Sequence, residues 1–178
     1  MAEYLVYEWP AQDAPPWEPE PDGLHWVDAD PELIRTLFAS EPDRLRAQIA
    51  MLAQDYVGLL CVAGDEWCAY AWMRRPRSPG PPHLPPEARQ LPCYWITYCR
   101  TKTDFQRRGL FTRAILKLVA TAQRESPGAY ILIDVEANNI ASRRAIERAG
   151  FVRSGLLKTV SIGLPKVRHV VLGSWRSD

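Results

Sequence analysis

The sequence TKTDFQRRGLFT occupies residues 101–112 and separates a strand pattern from a helix pattern. Before it, residues 93–101 (CYWITYCRT) are rich in aromatic and β-branched side chains, which predicts a strand. After it, apolar residues recur at helical spacing and predict one buried helix face: Phe111, Ala114, Ile115, Leu118, Val119 and Ala122. A strand, a short loop and a helix that begins near Gly109 therefore follow one another.

The predicted helix start at Gly109 is a candidate anion site. The first amides of a helix have no partner within it and carry the positive end of its dipole. Glycine lets a ligand approach the backbone, and Arg107 and Arg108 add positive charge beside it. These features favour a phosphate or diphosphate ligand, although glycine and arginine are also ordinary residues at a helix start.

Residues 106–111 (QRRGLF) resemble the Q/R-x-x-G-x-G/A signature of the GNAT N-acetyltransferase superfamily. Further along, residues 135–151 (VEANNIASRRAIERAGF) resemble the second signature of that family, N-x-x-S/A with a closing Gly-Phe. Asn139 and Ser142 are in register with the signature, as are Gly150 and Phe151. Both signatures occur in the expected order on the expected elements, which makes the resemblance more specific than either signature alone. It covers residues 93–151.

The resemblance implies a coenzyme A site with acetyl-CoA as the cofactor. It implies that the backbone of Thr101 and Thr103 pairs with the pantetheine arm as an added strand does. It also implies that Asn139 binds the pantetheine, a role that is compatible with capping a helix. The implied cofactor-binding residues are Thr101, Lys102, Thr103, Gln106, Arg107, Arg108, Gly109, Leu110, Phe111, Thr112, Asn139 and Ser142.

The catalytic groups are less well defined than the cofactor site. Ile146 occupies the position where many family members have a tyrosine that protonates the departing thiolate, and Phe111 replaces the usual glycine or alanine. Ser142 is the candidate catalytic residue, and it is also a candidate for a capping or packing serine. The candidates for a general base lie near strand ends without a supporting motif: Tyr94, Tyr98, Asp134 and Glu136.

The whole chain predicts an α/β (α+β) fold in the order β-α-α-β-β-β-α-β-α-β-β. Asp30 is a predicted helix N-cap before Pro31, Ser40 with Asp43 resembles a capping box, and Gly150 is a predicted left-handed C-cap. The strand–helix–strand units after residue 93 predict neighbouring parallel strands, while an early hairpin predicts antiparallel ones. We expect a GNAT-like mixed, mostly antiparallel sheet with helices on both faces, splayed between the fourth and fifth predicted strands.

Twelve of the sixteen prolines fall in two segments, 10–21 and 76–92. Proline fixes φ and removes a backbone donor, so both segments are predicted to be irregular. We expect residues 1–22 to be an N-terminal arm and residues 23–178 to be a single domain. Within that domain, residues 74–92 are expected to form a loop, which is either a plain connector or a lid over a site.

Composition excludes several classes of function. The net charge of +1 provides no general attraction to nucleic acid, and the apolar runs are too short to cross a bilayer. Neither the four cysteines nor the three histidines have the spacing of metal ligands. The start of the chain lacks the pattern of a secretory signal, so we expect a cytoplasmic protein. The expected partners are an acyl-CoA and an amine acceptor, and a homodimer stays open.

Three hypotheses for the function remain. The first is an acyl-CoA-dependent N-acyltransferase that moves acetyl from acetyl-CoA directly to a primary amine of a small molecule or peptide. The second, motivated by Ile146, is a non-catalytic acyl-CoA-binding protein of the same fold. The third is an α/β domain that binds another phosphate ligand at Gly109. The residues expected to line an acceptor cleft are Trp26, Tyr70, Trp72, Tyr94 and Tyr98.

Overall fold

Eight strands form one mixed sheet in the computed structural model, which describes residues 2–10, 13, 20, 23–164 and 167–177, with side chains up to residue 160. The strands are β1 (Ala2–Glu8), β2 (His25–Asp28), β3 (Val57–Ala63), β4 (Glu66–Arg74), β5 (Tyr94–Thr101), β6 (Ile131–Glu136), β7 (Val152–Leu164) and β8 (Val167–Ser177). The helices are α1 (Pro31–Leu37), α2 (Pro42–Ala53), α3 (Pro86–Arg89), α4 (Leu110–Glu125) and α5 (Ile140–Ala149). Across the sheet the order is β2-β3-β4-β5-β6-β1-β7-β8.

The described strands pair in antiparallel fashion except for β5 and β6, which are parallel and joined through α4. The pairing of β5 with β6 runs from Tyr94 opposite Ile131 to Ile96 opposite Ile133 and stops there. Both strands continue beyond that point, to Thr101 and Glu136. The predicted fold class and the predicted splay are therefore confirmed.

A β-bulge in β5 explains where the splay begins. Trp72 of β4 lies opposite Thr97, whereas Tyr70 lies opposite Arg100, so β5 carries one extra residue between these pairs. Tyr98 lies in this bulge with a φ of 48°, a left-handed conformation that is uncommon for a large side chain. Because a bulge bends its strand and increases the local twist, it turns the end of β5 away from β6.

Helices cover both faces of the sheet, and strand alternation decides which side chains meet them. On β4, Ala71 and Met73 pack in the cluster that contains the apolar face of α4. Tyr70 and Trp72 point the other way and pack against residues of α1 and α2 such as Ile34. The period of two along β4 therefore sends its aromatic rings to the α1–α2 side of the sheet.

Local capping signals identified one helix start and missed another. The Asp30 carboxylate accepts hydrogen bonds from the first-turn amides of α1, and Gly150 has a φ of 106° at the end of α5, so both predictions are confirmed. The capping box predicted from Ser40 is wrong. Glu41 is the N-cap of α2 and Pro42 is its first residue, where the missing N–H of proline costs no helical hydrogen bond.

The N-terminal arm predicted for residues 1–22 is wrong at its start. Residues 2–8 form β1 between β6 and β7, and Tyr4 lies opposite Glu136 on one side and Leu157 on the other. Consequently β6 and β7 are not the neighbours that the strand–helix–strand pattern predicted. Residues 1, 11, 12, 14–19, 21 and 22 of the predicted arm lie outside the described residues.

The proline-rich segment 74–92 is packed onto the sheet and contains the short helix α3. Arg74, which is 3% exposed, holds it by donating hydrogen bonds to three backbone carbonyl oxygens. They belong to Ser78 (2.8 Å), Leu91 (3.0 Å) and Pro76 (3.1 Å). Leu84 is fully buried in the same cluster as Trp95, which anchors the middle of the segment.

Candidate active site

Two grooves meet where β5 and β6 part. The first, of about 420 Å³, lies between the end of β5, the start of α4 and one face of α5. The second, of about 350 Å³, lies between the diverging strands and also receives side chains from β1 and the proline-rich segment. Four residues line both grooves: Cys99, Phe111, Asn139 and Ser142. The two grooves therefore adjoin at the splay.

The wall of the first groove includes the N-terminus of α4. Gly109 is its N-cap with a φ of 73°, and Arg107 also has a positive φ, of 62°. No side chain from the described part of the chain caps this helix. The first-turn amides, those of Leu110, Phe111 and Thr112, therefore have no acceptor within the helix. A Cβ built on Gly109 would meet nothing within 4 Å, so the space beside these amides is open.

Most of the implied cofactor-binding residues line the first groove: Thr101, Gln106, Arg107, Gly109, Leu110, Phe111, Thr112, Asn139 and Ser142. Three others lie outside its lining. Lys102 forms an ion pair with Glu66, which raises the pKa of the lysine. Thr103 begins a short 3-10 turn, and the Arg108 guanidinium lies 5.0 Å from the centre of the Phe105 ring.

Arg148 lines the first groove from α5 and was missed in the sequence. It provides a second cation facing the α4 N-terminus, in addition to Arg107. The signal that could have identified it is helical spacing, because Ser142, Ala145 and Arg148 follow one another at intervals of three residues along one face.

Asn139 caps α5 and also lines both grooves. Its side-chain oxygen accepts a hydrogen bond from the Ser142 amide at 3.2 Å, so it caps α5. The cap leaves the two N–H donors of the side-chain amide unused. Asn139 and Ser142 both line the junction of the grooves, and fully buried Ile146 closes the second groove on the α5 side.

A histidine–carboxylate pair in the second groove is the main feature that sequence reasoning missed. His83 Nε2 lies 3.0 Å from Asp134 Oδ2, and Trp95 Nε1 donates to the other carboxylate oxygen at 2.6 Å. The Asp134 side chain is only 6% exposed. Asp134 was a candidate base from its strand-end position, but His83 is 51 residues away in the proline-rich segment, where no local motif links the two.

Tyr98 is one of the five residues expected to line an acceptor cleft, and it does line the second groove. The other four contribute to the core. Trp72 is fully buried and donates to the Gln48 side chain at 2.6 Å, while Tyr70 is buried in the same cluster. Tyr94 is buried with its hydroxyl 3.2 Å from Glu125, and Trp26 packs partly buried against the α4 side.

The pKa values of a thiol and two phenol groups in the second groove are raised, so these groups stay protonated at neutral pH. Burial raises the pKa of the Cys99 thiol to about 12. Burial also raises the pKa of Tyr98, with a further contribution from the charge of Asp134. The pKa of Tyr4 is raised by burial and by the charges of Glu136 and Asp134. In the described part of the chain, no group of three or more His, Cys, Asp or Glu side chains is arranged to hold a metal ion.

A sequence profile of the acetyltransferase (GNAT) family matches residues 3–151. The chain belongs to this family. The match includes both grooves and the strand β1, which completes the sheet beside β6. Among curated protein sequences, none matches this chain. In the described residues, no helix is long and apolar enough to cross a membrane.

Solved structures of GNAT proteins share the fold of this chain. A GNAT acetyltransferase from Colwellia psychrerythraea is 15% identical with a TM-score of 0.59, over 86% of this chain and 53% of the other. A GCN5-related N-acetyltransferase from Sphaerobacter thermophilus is 13% identical with a TM-score of 0.58, over 99% and 51%. A tandem GNAT protein from the clavulanic acid biosynthesis pathway is 11% identical with a TM-score of 0.60, over 85% and 50%. This chain thus spans about half the length of each.

Proposed function

We propose that this chain transfers an acetyl group from acetyl-CoA directly to a primary amine of a small molecule or a peptide. The observation that carries the proposal is the junction of the two grooves at Cys99, Phe111, Asn139 and Ser142. A transferase needs two substrates to reach one point from different sides, and two grooves that adjoin at the splay fit that requirement.

The first groove fits the phosphates and the pantetheine arm of coenzyme A. Its α4 N-terminus offers amides without helical acceptors, and Arg107 and Arg148 add positive charge for a pyrophosphate. Within the described sheet, β6 pairs with β5 no further than Ile96. The later part of β5, towards Thr101, therefore has an edge that an extended amide-containing chain can join.

The residues at the junction support direct transfer. Acetyl-CoA would supply a thioester whose acyl carbon is attacked by the amine. The pKa of Cys99 of about 12 keeps its thiol protonated at neutral pH, which disfavours an acyl-enzyme on this residue. Ser142 lines both grooves, which supports its hydroxyl as the group that gives a proton to the departing sulfur. Apolar side chains such as Ile133 and Ile146 line the second groove next to this junction.

Calorimetric titration with acetyl-CoA tests the cofactor part of the proposal, with adenosine diphosphate as the control ligand. We expect a dissociation constant in the micromolar range for acetyl-CoA and far weaker binding of adenosine diphosphate. Equal binding of the two would favour a general phosphate site at Gly109. Absence of acetyl-CoA binding would overturn the proposed function.

The alternative function is that of a non-catalytic acyl-CoA-binding protein. It is favoured by fully buried Ile146, which stands where many family members have a proton-donating tyrosine. Release of free thiol separates the two functions. Acetyl-CoA binding with thiol release that depends on added amine supports the transferase, whereas binding without such release supports the alternative.

A further inference from the structure

We infer that His83, held by Asp134, takes the proton from the acceptor amine in the second groove. This inference rests on the proposed function, because it names the residue that would prepare the amine for transfer. A primary amine is largely protonated at neutral pH, so it must lose a proton before its nitrogen can attack an acyl carbon.

The contacts of Asp134 assign the proton on the imidazole ring. One carboxylate oxygen accepts from Trp95 Nε1 at 2.6 Å, and the other lies 3.0 Å from His83 Nε2. An ionised carboxylate can only accept hydrogen bonds, so Nε2 carries the hydrogen and Nδ1 keeps its lone pair.

The proline-rich segment holds the backbone around His83 on both sides. The Arg89 guanidinium donates to the carbonyl oxygen of Leu84 at 2.6 Å and to that of Pro82. Gly80 lies so close to Arg89 that a Cβ at this position would be 2.6 Å from the arginine Cα. With Leu84 fully buried, the imidazole is placed by a packed segment and not by a free loop.

The surroundings of His83 suit a cationic amine. Asp134 of β6 pairs with His83, and the rings of Tyr4 of β1 and Tyr98 of β5 lie beside it. Glu136 of β6 lines the same groove, and Arg89 of α3 bonds to the carbonyl oxygens of Pro82 and Leu84 on either side of His83. The ring centres of Tyr4 and Tyr98 are 5.5 and 6.4 Å from that of His83. Acidic groups and aromatic faces both attract an ammonium group, and His83 lies in the groove that leads to Ser142.

The proposed reaction conserves protons and electron pairs. The ammonium nitrogen gives one proton to His83 Nδ1 and regains its lone pair. That lone pair forms the bond to the acyl carbon, and the carbon–sulfur bond breaks with its electrons left on sulfur. A second proton from the nitrogen ends on the sulfur, by way of Ser142, and His83 releases its proton to solvent. The products are the amide, the free thiol and one proton.

Kinetics with His83→Ala test the inference, using phenethylamine, tyramine and cadaverine as probe amines and His25→Ala as the matched control, since His25 is an exposed histidine on β2. We expect kcat/KM at neutral pH to fall about a hundredfold in His83→Ala and to stay unchanged in His25→Ala. The rise of kcat/KM with pH should move to the higher pH at which the amine itself deprotonates. Added imidazole should restore part of the rate, which a purely structural role would not produce.

Two measurements do not depend on turnover. Acetyl-CoA affinity by calorimetry should be equal in wild type and His83→Ala, because His83 lies outside the lining of the first groove. Nitrogen NMR of the imidazole rings should show His83 protonated at Nε2 in wild type, and Asp134→Asn should remove that preference.

The possible outcomes separate the two proposals. If wild type fails to bind acetyl-CoA, the proposed function falls and the inference falls with it. If wild type binds acetyl-CoA but acetylates none of the probe amines, the alternative function stands and the role of His83 is overturned. If His83→Ala acetylates the amines with the rate and pH profile of wild type, or NMR finds the proton on Nδ1, the inference alone is overturned.

Discussion

Gly109 is the single residue on which the proposed phosphate site depends most. Gly109→Glu introduces a negative charge beside the first amides of α4, where a phosphate would bind. We expect acetyl-CoA affinity to fall about a hundredfold. The positive φ of 73° adds a folding cost of about 1 kcal/mol, since a residue with a Cβ resists this conformation. Calorimetry measures the affinity, and thermal unfolding measures the cost.

Gly64→Glu is the matched control for this change. Gly64 also has a positive φ, of 57°, with nothing within 4 Å of a Cβ, but it lies in the turn between β3 and β4. Both variants should lose similar stability, and the loss of affinity should be confined to Gly109→Glu. Normal acetyl-CoA binding by a folded Gly109→Glu protein would show that the phosphate site is elsewhere.

Ser142 is expected to act on turnover and not on binding. Ser142→Ala removes the hydroxyl at the junction of the grooves but keeps the backbone amide that Asn139 caps. We expect kcat to fall about a hundredfold, as for loss of a proton donor, with little change in the affinity for acetyl-CoA. Steady-state kinetics beside calorimetry provide the comparison. An unchanged kcat would remove Ser142 from the mechanism.

Residues with a local signal were predictable, and residues placed by distant partners were not. Asn139 and Gly150 could be assigned because cap residues act on their own helix. His83 has no such signal, since its partner Asp134 lies on another element. Tyr70 and Trp72 were wrongly expected in a cleft because alternation along a strand shows that two residues share a face but not which layer that face meets.

Among the elements, the proline-rich segment depends most on one buried side chain. Arg74→Met removes the donors for the carbonyl oxygens of Ser78, Leu91 and Pro76. We expect the free energy of unfolding to fall by about 3 kcal/mol, because buried acceptors lose charged partners. Urea denaturation measures the change. Transfer activity should fall as well, since the same segment positions His83.

Arg75→Met provides the comparison at the next position. Arg75 pairs with Glu125 and Asp55 and is about one third exposed, so water screens these contacts. Its removal should cost about 1 kcal/mol or less. An equal loss of stability in the two variants would contradict the view that the Arg74 hydrogen bonds hold the segment.

Most elements of the site could be predicted because each carries a local sequence signal, and β1 could not because its position depends on distant strands. The units β5, α4, β6 and α5 each show a periodicity or a cap within a few residues. The strand β1 lies between β6 and β7. Its residue Tyr4 lies opposite Glu136 of β6 and opposite Leu157 of β7. Its place in the sheet depends on partners more than a hundred residues away, and the adjacent prolines favoured an arm.

At the scale of the whole molecule, the second groove collects side chains from β1, β5, β6, α4, α5 and the proline-rich segment. Its charged lining residues are Asp134 and Glu136, and among the described residues no lysine or arginine lines it. The second groove therefore offers favourable partners to the ammonium group of an acceptor. A carboxylate on the same acceptor, next to that nitrogen, would find no favourable partner there. Like charges placed together in a binding site cost several kcal/mol.

The acceptor should accordingly be an amine without a neighbouring carboxylate. Phenethylamine and phenylalanine share a skeleton and differ by that group, so we expect kcat/KM to be about a hundredfold higher for phenethylamine. Phenylalaninamide has similar bulk without the charge and should behave like phenethylamine. Glu136→Gln should narrow the difference between the amine and the amino acid, because it removes one of the two repelling charges. Equal rates with phenethylamine and phenylalanine would show that the acceptor carboxylate lies away from Asp134 and Glu136, and the placement of the amine in the second groove would then have to be abandoned.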